Sequence, residues 1–209
     1  MNQALPSNRL KRAKRALRRE ILARRDALAL HDRATRSRVI AERLLALPEL
    51  RRAGTVLAFW SFGSEVDTGP ILDRLGSAGV RIALPRLEHG EIAAVAYRRG
   101  DPTTETSFGA REPAEGVTLN ATDIDVVVTP GVAFDRRGFR VGYGGGFYDR
   151  FFRLVRGDAF RVAIGFAFQV VDEVPHGRVD VPIDAIVTDQ ETIRCAMEPA
   201  AGDPETTGS

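Results

Sequence analysis

Apolar residues recur at helical spacing through the first fifty positions. Leu10, Leu17, Ile21 and Leu28 fall on one line at about 100° per residue, which predicts a helix from 9 to about 30. A second helix is expected from about 33 to 47, with Asp32 as its N-cap and Pro48 just beyond its end. The pattern then changes to short apolar runs. "TVLAFW" (55–60) reads as a strand, "GPILDRLGSAG" (69–79) as a short helix opened by proline, and "VRIALP" (80–85) as another strand. That is a βαβ unit, which implies a parallel pair with a right-handed crossover. "IDVVVTP" (124–130) is a buried-type strand, "GGFYDRFFRLV" (145–155) a helix and "FRVAIGFAF" (160–168) a strand, while "DAIVTD" (184–189) closes the series. "IAAVAYR" (92–98) carries a weaker strand pattern. The expected fold is α/β: one three-layer domain over 1–197, a mostly parallel open sheet with helices on both faces, preceded by an N-terminal helical pair. Residues 198–209 are polar and rich in Gly, Pro and Thr, a composition that predicts a disordered tail.

Charge changes this picture in one respect. The net charge is +2, but residues 1–52 hold fifteen Lys and Arg against five Asp and Glu, so the front carries +10 and the remainder −8. A basic front of this kind suits a polyanion, either nucleic acid or a phosphorylated small molecule. No run of eighteen apolar residues exists, so no membrane span or membrane partner is expected. The single Cys195 fits a reducing, cytoplasmic compartment. Three dispersed histidines and one cysteine make a zinc site unpromising.

The chemistry concentrates in "RVGYGGGFYDRF" (140–151), which has four glycines in twelve positions. The loop from Gly131 to about Gly145 leaves the carboxyl end of a predicted strand, where open α/β sheets bind ligands, and enters a predicted helix. Glycines let backbone N–H groups turn toward a ligand, and a helix N-terminus adds a positive dipole, so phosphate is the natural guest. A tight structural crossover is the alternative. The run lacks the Gly-Lys-Ser/Thr ending of a Walker loop, and Phe147 stands where a dinucleotide fingerprint needs glycine. Asp149 follows in the first turn. A carboxylate beside phosphate needs a cation between them, usually Mg²⁺, although a helix dipole alone would also favour an acid there.

"PGVAFDRRGFRVGYGGGFYDRF" resembles the signature of the 5-formyltetrahydrofolate cyclo-ligases, also called methenyltetrahydrofolate synthetases. "KRALR" (14–18) is similar to that family's N-terminal ATP motif, "GSEVDT" (63–68) to its folate-site loop, "FGAREP" (108–113) to its mid-chain element and "VDVPIDAIVTD" (179–189) to its closing strand. The resemblance thus covers most of the chain. It implies ATP-dependent closure of 5-formyltetrahydrofolate to 5,10-methenyltetrahydrofolate through a phosphorylated formyl group, with ATP as co-substrate and Mg²⁺ as cofactor. A monomer without a nucleic-acid partner is expected. Some members carry a basic residue where this chain has Tyr143 or Gly145.

Site residues follow from the same resemblance. Lys14, Arg18 and Asp149 are the expected catalytic groups. Lys14, Arg18, Arg140, Gly142, Tyr143, Gly144, Gly145, Gly146, Phe147 and Tyr148 are expected at ATP. Trp60, Glu65, Tyr143, Gly144, Gly145, Gly146 and Phe147 are expected at the folate, and Asp149 and Asp180 at the metal. The residues themselves leave bland readings beside these. Lys14, Arg18 and Arg25 lie within roughly 80° of the apolar line, which permits a reach toward phosphates or snorkelling beside the core. Glu65 reads as a pterin acceptor or a solvated loop acid, and Trp60 as pocket wall or core. Two rival functions stay open: nucleic-acid binding by "KRAKRALRREILARR", and a phosphate-ester or CoA-ester enzyme on a similar sheet.

Overall fold

The structure, a computed structural model, describes residues 7–106 and 109–195; the expected tail at 198–209 lies outside these. The first helix, α1, runs Ser7–Asp26, and α2 runs Leu30–Ala46. Ala29 rather than Asp32 is the N-cap of α2, so Asp32 sits inside the first turn, where its charge still meets the helix dipole favourably. Pro48 does not simply follow a helix end. It opens a short third helix, α3 (Pro48–Arg52), at the position where a missing N–H costs nothing.

The sheet begins with β1 (Thr55–Leu57), crosses through α4 (Gly69–Ser77) and returns in β2 (Arg81–Glu88). β1 and β2 pair in parallel, as the βαβ pattern requires. β2 continues past its expected end and turns back at once into β3 (Glu91–Tyr97). His89 and Gly90, both at positive φ (52° and 82°), make the two-residue hairpin turn. Pro85 sits within β2 beyond Ala83, the last residue paired with β1, and a strand with a neighbour on one side only tolerates proline. A small hairpin of β4 (Thr103–Glu105) and β5 (Arg111–Pro113) precedes the edge strand β6 (Thr118–Leu119).

β7 (Val126–Thr129) is buried on both faces and joins β1 on one side. A two-residue hairpin of β8 (Ala133–Phe134) and β9 (Arg140–Val141) follows, then the five-residue helix α5 (Phe147–Phe151). The chain ends with β10 (Phe160–Ile164), β11 (Ala185–Val187) and an antiparallel β12 (Thr192–Arg194). The eight-stranded order is β12-β11-β10-β7-β1-β2-β3-β6, parallel through its centre and antiparallel at both flanks.

Adjacent residues of β1 face opposite ways. Val56 meets Ile40 and Leu44 of α2 and Ile71 and Leu75 of α4 on one face. Leu57 shares the other face with Phe151, Phe152, Ile183 and Ile186. Each such side chain contributes roughly 1.5–3 kcal/mol when fully buried. α1 serves a third cluster: its Ile21, fully buried, packs on Val132, Ala133, Val141 and Val174. The helix is thereby laid across the β8–β9 hairpin, beside the glycine run.

Candidate active site

The glycine run, the loop after β1 and helix α1 meet at the carboxyl edge of the central strands. The first is the glycine run, held from behind by Asp135. This fully buried carboxylate accepts from the backbone N–H groups of Arg137, Phe139 and Val174 at 3.0, 3.1 and 3.0 Å. It ties the hairpin turn to the 170s segment and so fixes where β9 releases the chain. Beyond β9, Gly144 and Gly146 take positive φ values of 115° and 64°, and a Cβ on Gly145 would overlap the Phe147 ring. Side chains are therefore excluded at 144–146, whereas Gly142 has open space around it and Tyr143 carries a side chain within the run. The short α5 corrects the expectation of a helix over 145–155. Five residues carry a small dipole, so any phosphate affinity here rests on loop N–H groups and on nearby cations.

α1 supplies two of those cations. Arg18 Nε donates to the Gly142 carbonyl at 2.7 Å, and its guanidinium lies against Gly144. Partial burial, with Arg15 adding to it, draws its pKa downward. Lys14 Nζ donates to both oxygens of Asp180 at 2.6 and 2.7 Å. Arg140 comes from β9 itself. It is buried, donates to the Val181 carbonyl at 2.8 Å and pairs with Asp149 Oδ1 at 3.1 Å. Burial lowers the pKa of Arg140, and the Asp149 charge opposes that. Asp149 Oδ1 also accepts from Val181 N–H at 3.0 Å, so Asp149 and Asp180 flank one peptide unit.

The second segment is the loop after β1. Ser61 and Thr68 close it reciprocally, each backbone N–H donating to the other's hydroxyl, at 2.9 and 3.1 Å. Glu65 stands inside and is only 6 % exposed. Its Oε2 accepts from Phe62 N–H at 3.1 Å and its Oε1 from the Tyr143 hydroxyl at 2.8 Å. Burial pushes its carboxyl above the ordinary range, against these bonds and the Arg25 charge. Glu65 therefore lies in a formed pocket, a cavity of about 320 Å³ that Phe62, Ser37 and Arg33 also line. The solvated-acid reading of Glu65 is not what the structure shows.

Trp60 is placed differently. It is half-buried, stands edge-on to Tyr97 at 5.7 Å and lies beneath Arg111. It lines a larger cleft of about 1000 Å³ between α4 and β2–β3, whereas Glu65 lines a separate cavity. Phe147 packs against the core and is covered by Arg150. Tyr148 turns its hydroxyl inward, where it is buried without a partner among the described residues. Burial and the Glu65 charge raise its pKa, with Arg140 opposing. Helix phase left open what Arg25 reaches, and nothing local marks its contact with Ser64, 39 residues away.

A family model for the 5-formyltetrahydrofolate cyclo-ligases matches residues 10–189. The chain belongs to the 5-formyltetrahydrofolate cyclo-ligase family. That makes it a ligase of folate one-carbon chemistry. The Escherichia coli K12 5-formyltetrahydrofolate cyclo-ligase is 34% identical over 176 residues, spanning 80% of this chain and 96% of that one. The Haemophilus influenzae cyclo-ligase is 32% identical over 172 residues, 79% and 90% of the two chains. Among solved structures, the Aquifex aeolicus 5,10-methenyltetrahydrofolate synthetase superposes with a TM-score of 0.79 at 30% identity, covering 93% of this chain and 99% of that one. A Mycoplasma pneumoniae synthetase, at 24% identity and a TM-score of 0.70, shares the fold. Within this cyclo-ligase fold the glycine run, the α1 cations and the Glu65 loop share one edge. Among the described residues no helix is long and apolar enough to cross a membrane.

Proposed function

We propose that this chain closes 5-formyltetrahydrofolate to 5,10-methenyltetrahydrofolate at the expense of ATP, releasing ADP and phosphate. The observation that carries the reading is the pairing of two unlike sites on one edge. A cation-flanked glycine run adjoins a buried carboxylate, and Tyr143 belongs to the first while bonding to the second. A buried carboxylate suits the amine and ring N–H donors of a pterin. Loop N–H groups with Lys14, Arg18 and Arg140 suit a triphosphate.

The chemistry then needs positioning and charge neutralisation more than covalent help. The formyl oxygen attacks the γ-phosphorus and the bond to ADP breaks. N10, losing its proton, bonds to the formyl carbon, and the C–O bond breaks so that the oxygen departs with phosphate. Lys14, Arg18 and Arg140 stabilise charge on the transferred phosphoryl oxygens. Glu65 holds the pterin so that N5 and its formyl group face the glycine run. Phe147 and Tyr148 back the glycine run from the core side, while Trp60 lines the separate cleft and takes no part in this scheme. Asp149 and Asp180 are the carboxylates that would hold Mg²⁺, an ion that takes one or two carboxylates together with phosphate oxygens. When bound, it would neutralise the β- and γ-phosphate charge. Each carboxylate already holds a basic side chain, so the ion would share or displace Lys14 and Arg140.

A cytoplasmic monomer is the working form in this proposal, consistent with a free Cys195. The test is direct. Purified protein with Mg-ATP and 5-formyltetrahydrofolate should develop the methenyl absorbance with stoichiometric ADP. Folded protein that forms no product would overturn the assignment.

A further inference from the structure

Arg25 belongs to no substrate in the scheme above, yet it is 3 % exposed. A buried guanidinium is costly unless its donors are used. Its Nε donates to the Ser64 hydroxyl at 3.0 Å, and its Nη2 donates to the Tyr143 hydroxyl oxygen at 2.8 Å. Both acceptors are hydroxyls, and each has one proton to place. With Arg25 donating into Tyr143 Oη, that hydroxyl must point its own proton elsewhere, and it points at Glu65 Oε1, 2.8 Å away. Ser64, likewise, donates to Asp26. One cation thus sets the direction of two hydroxyls on two loops.

α1 makes this placement possible. Lys14 and Arg25 are eleven residues apart, about 16 Å along a helix at 1.5 Å per residue. The same rigid element therefore delivers cations to the phosphate side and to the folate side of the edge.

We infer that Arg25 is a positioning residue for the folate site: through the Tyr143 hydroxyl it orients the Glu65 carboxylate toward the pterin donors. This rests on the proposed function, because it assumes that Glu65 receives folate. The other groups facing Glu65 are few. Phe62 N–H donates to it, the Tyr148 hydroxyl feels its charge, and Arg33 and Asp67 line its cavity. Arg33 is engaged with the Gly63 carbonyl at 3.0 Å, which leaves Arg25 as the buried cation. Without Arg25, Tyr143 is free to turn its proton away. The carboxylate then loses both a bond and a nearby positive charge, so its protonation moves to higher pH.

The test compares Arg25→Met and Arg25→Lys with wild type across pH. Arg25→Met should lower kcat/KM for 5-formyltetrahydrofolate by roughly tenfold or more, while KM for Mg-ATP changes less than about twofold. Its acid limb should move to higher pH. Arg25→Lys keeps the charge without the planar fork, so the acid limb should return toward wild type while only part of kcat/KM recovers. General loss of stability would not move an acid limb, and melting curves of both variants separate that effect. An unmoved limb in Arg25→Met would show a merely structural role, and an equal rise in ATP KM would make Arg25 a phosphate ligand; either overturns the inference. Calorimetric titration of 5-formyltetrahydrofolate without ATP distinguishes the two levels. Wild type that binds folate but does not cyclise it sinks the proposed reaction alone, and the pH dependence of binding in the variants still decides on Arg25. Wild type that binds no folate overturns both.

Discussion

Lys14 Nζ lies between the two carboxylate oxygens of Asp180, 2.6 and 2.7 Å away, joining the second turn of α1 to the segment before β11 across 166 residues. Arg12 and Arg19, on the same helix, are exposed. The pair separates cations that build the site from those that only solvate it. Lys14→Ala and Arg18→Ala should raise the ATP KM or lower kcat by about tenfold or more, since each removes a charged donor near phosphate. Arg12→Ala and Arg19→Ala should leave both within about twofold, because exposed charges are screened. Steady-state kinetics of the four variants check this, and equal behaviour across them would remove the phosphate role of Lys14 and Arg18.

Asp149 carries more structure than its place beside a glycine run suggests. It neutralises buried Arg140 and holds Val181 N–H. Asp149→Asn should therefore lower both turnover and melting temperature, since an unpaired buried guanidinium costs on the order of 3 kcal/mol. Thermal melts together with kcat at several Mg²⁺ concentrations test it. An unchanged melting temperature with lost activity would mean that metal binding is its sole task.

Glu65 sets a pH dependence with a definite sign. Burial raises its folded-state pKa above the unfolded value near 4.3. The folded protein thus holds that proton more tightly. The associated stability is fully present below the unfolded pKa and is lost as pH rises through the folded one. Under the proposed function folate binding runs the other way, because the pterin donors need the carboxylate. kcat/KM for folate should fall as pH drops through the raised value, above the range of an ordinary glutamate. Glu65→Gln should abolish that limb and lower kcat/KM roughly tenfold to a hundredfold. A limb that persists in Glu65→Gln belongs to another group.

Tyr148 offers a stability test with an unusual direction. Its buried hydroxyl has no partner among the described residues, and an unsatisfied buried hydroxyl costs about 1–3 kcal/mol. Tyr148→Phe should melt at the same temperature or higher. A clear drop in the melting temperature would show that the hydroxyl is bonded in solution, through water or a rotated ring.

The sequence by itself determined the parallel centre of the sheet and the main helices. Apolar runs such as Val126–Val128 and the spacing of Leu17 and Ile21 are local patterns, and they follow directly from strand and helix geometry. It also marked the glycine run and Glu65, through motifs whose order along the chain is itself specific. It did not show the β8–β9 hairpin, whose strands of two residues are too short for periodicity and depend on Asp135 reaching Val174. Nor could it assign Arg25, whose angle on α1 allowed either core or phosphate. Its role is decided by Tyr143, 118 residues away, and by Ser64, 39 residues away. Trp60 and Glu65 share one loop, but the turn closed by Ser61 and Thr68 sends them into separate cavities. Helix phase and strand alternation are properties of neighbouring residues, whereas the direction of a hydroxyl's proton is set by whatever the packed chain brings against it.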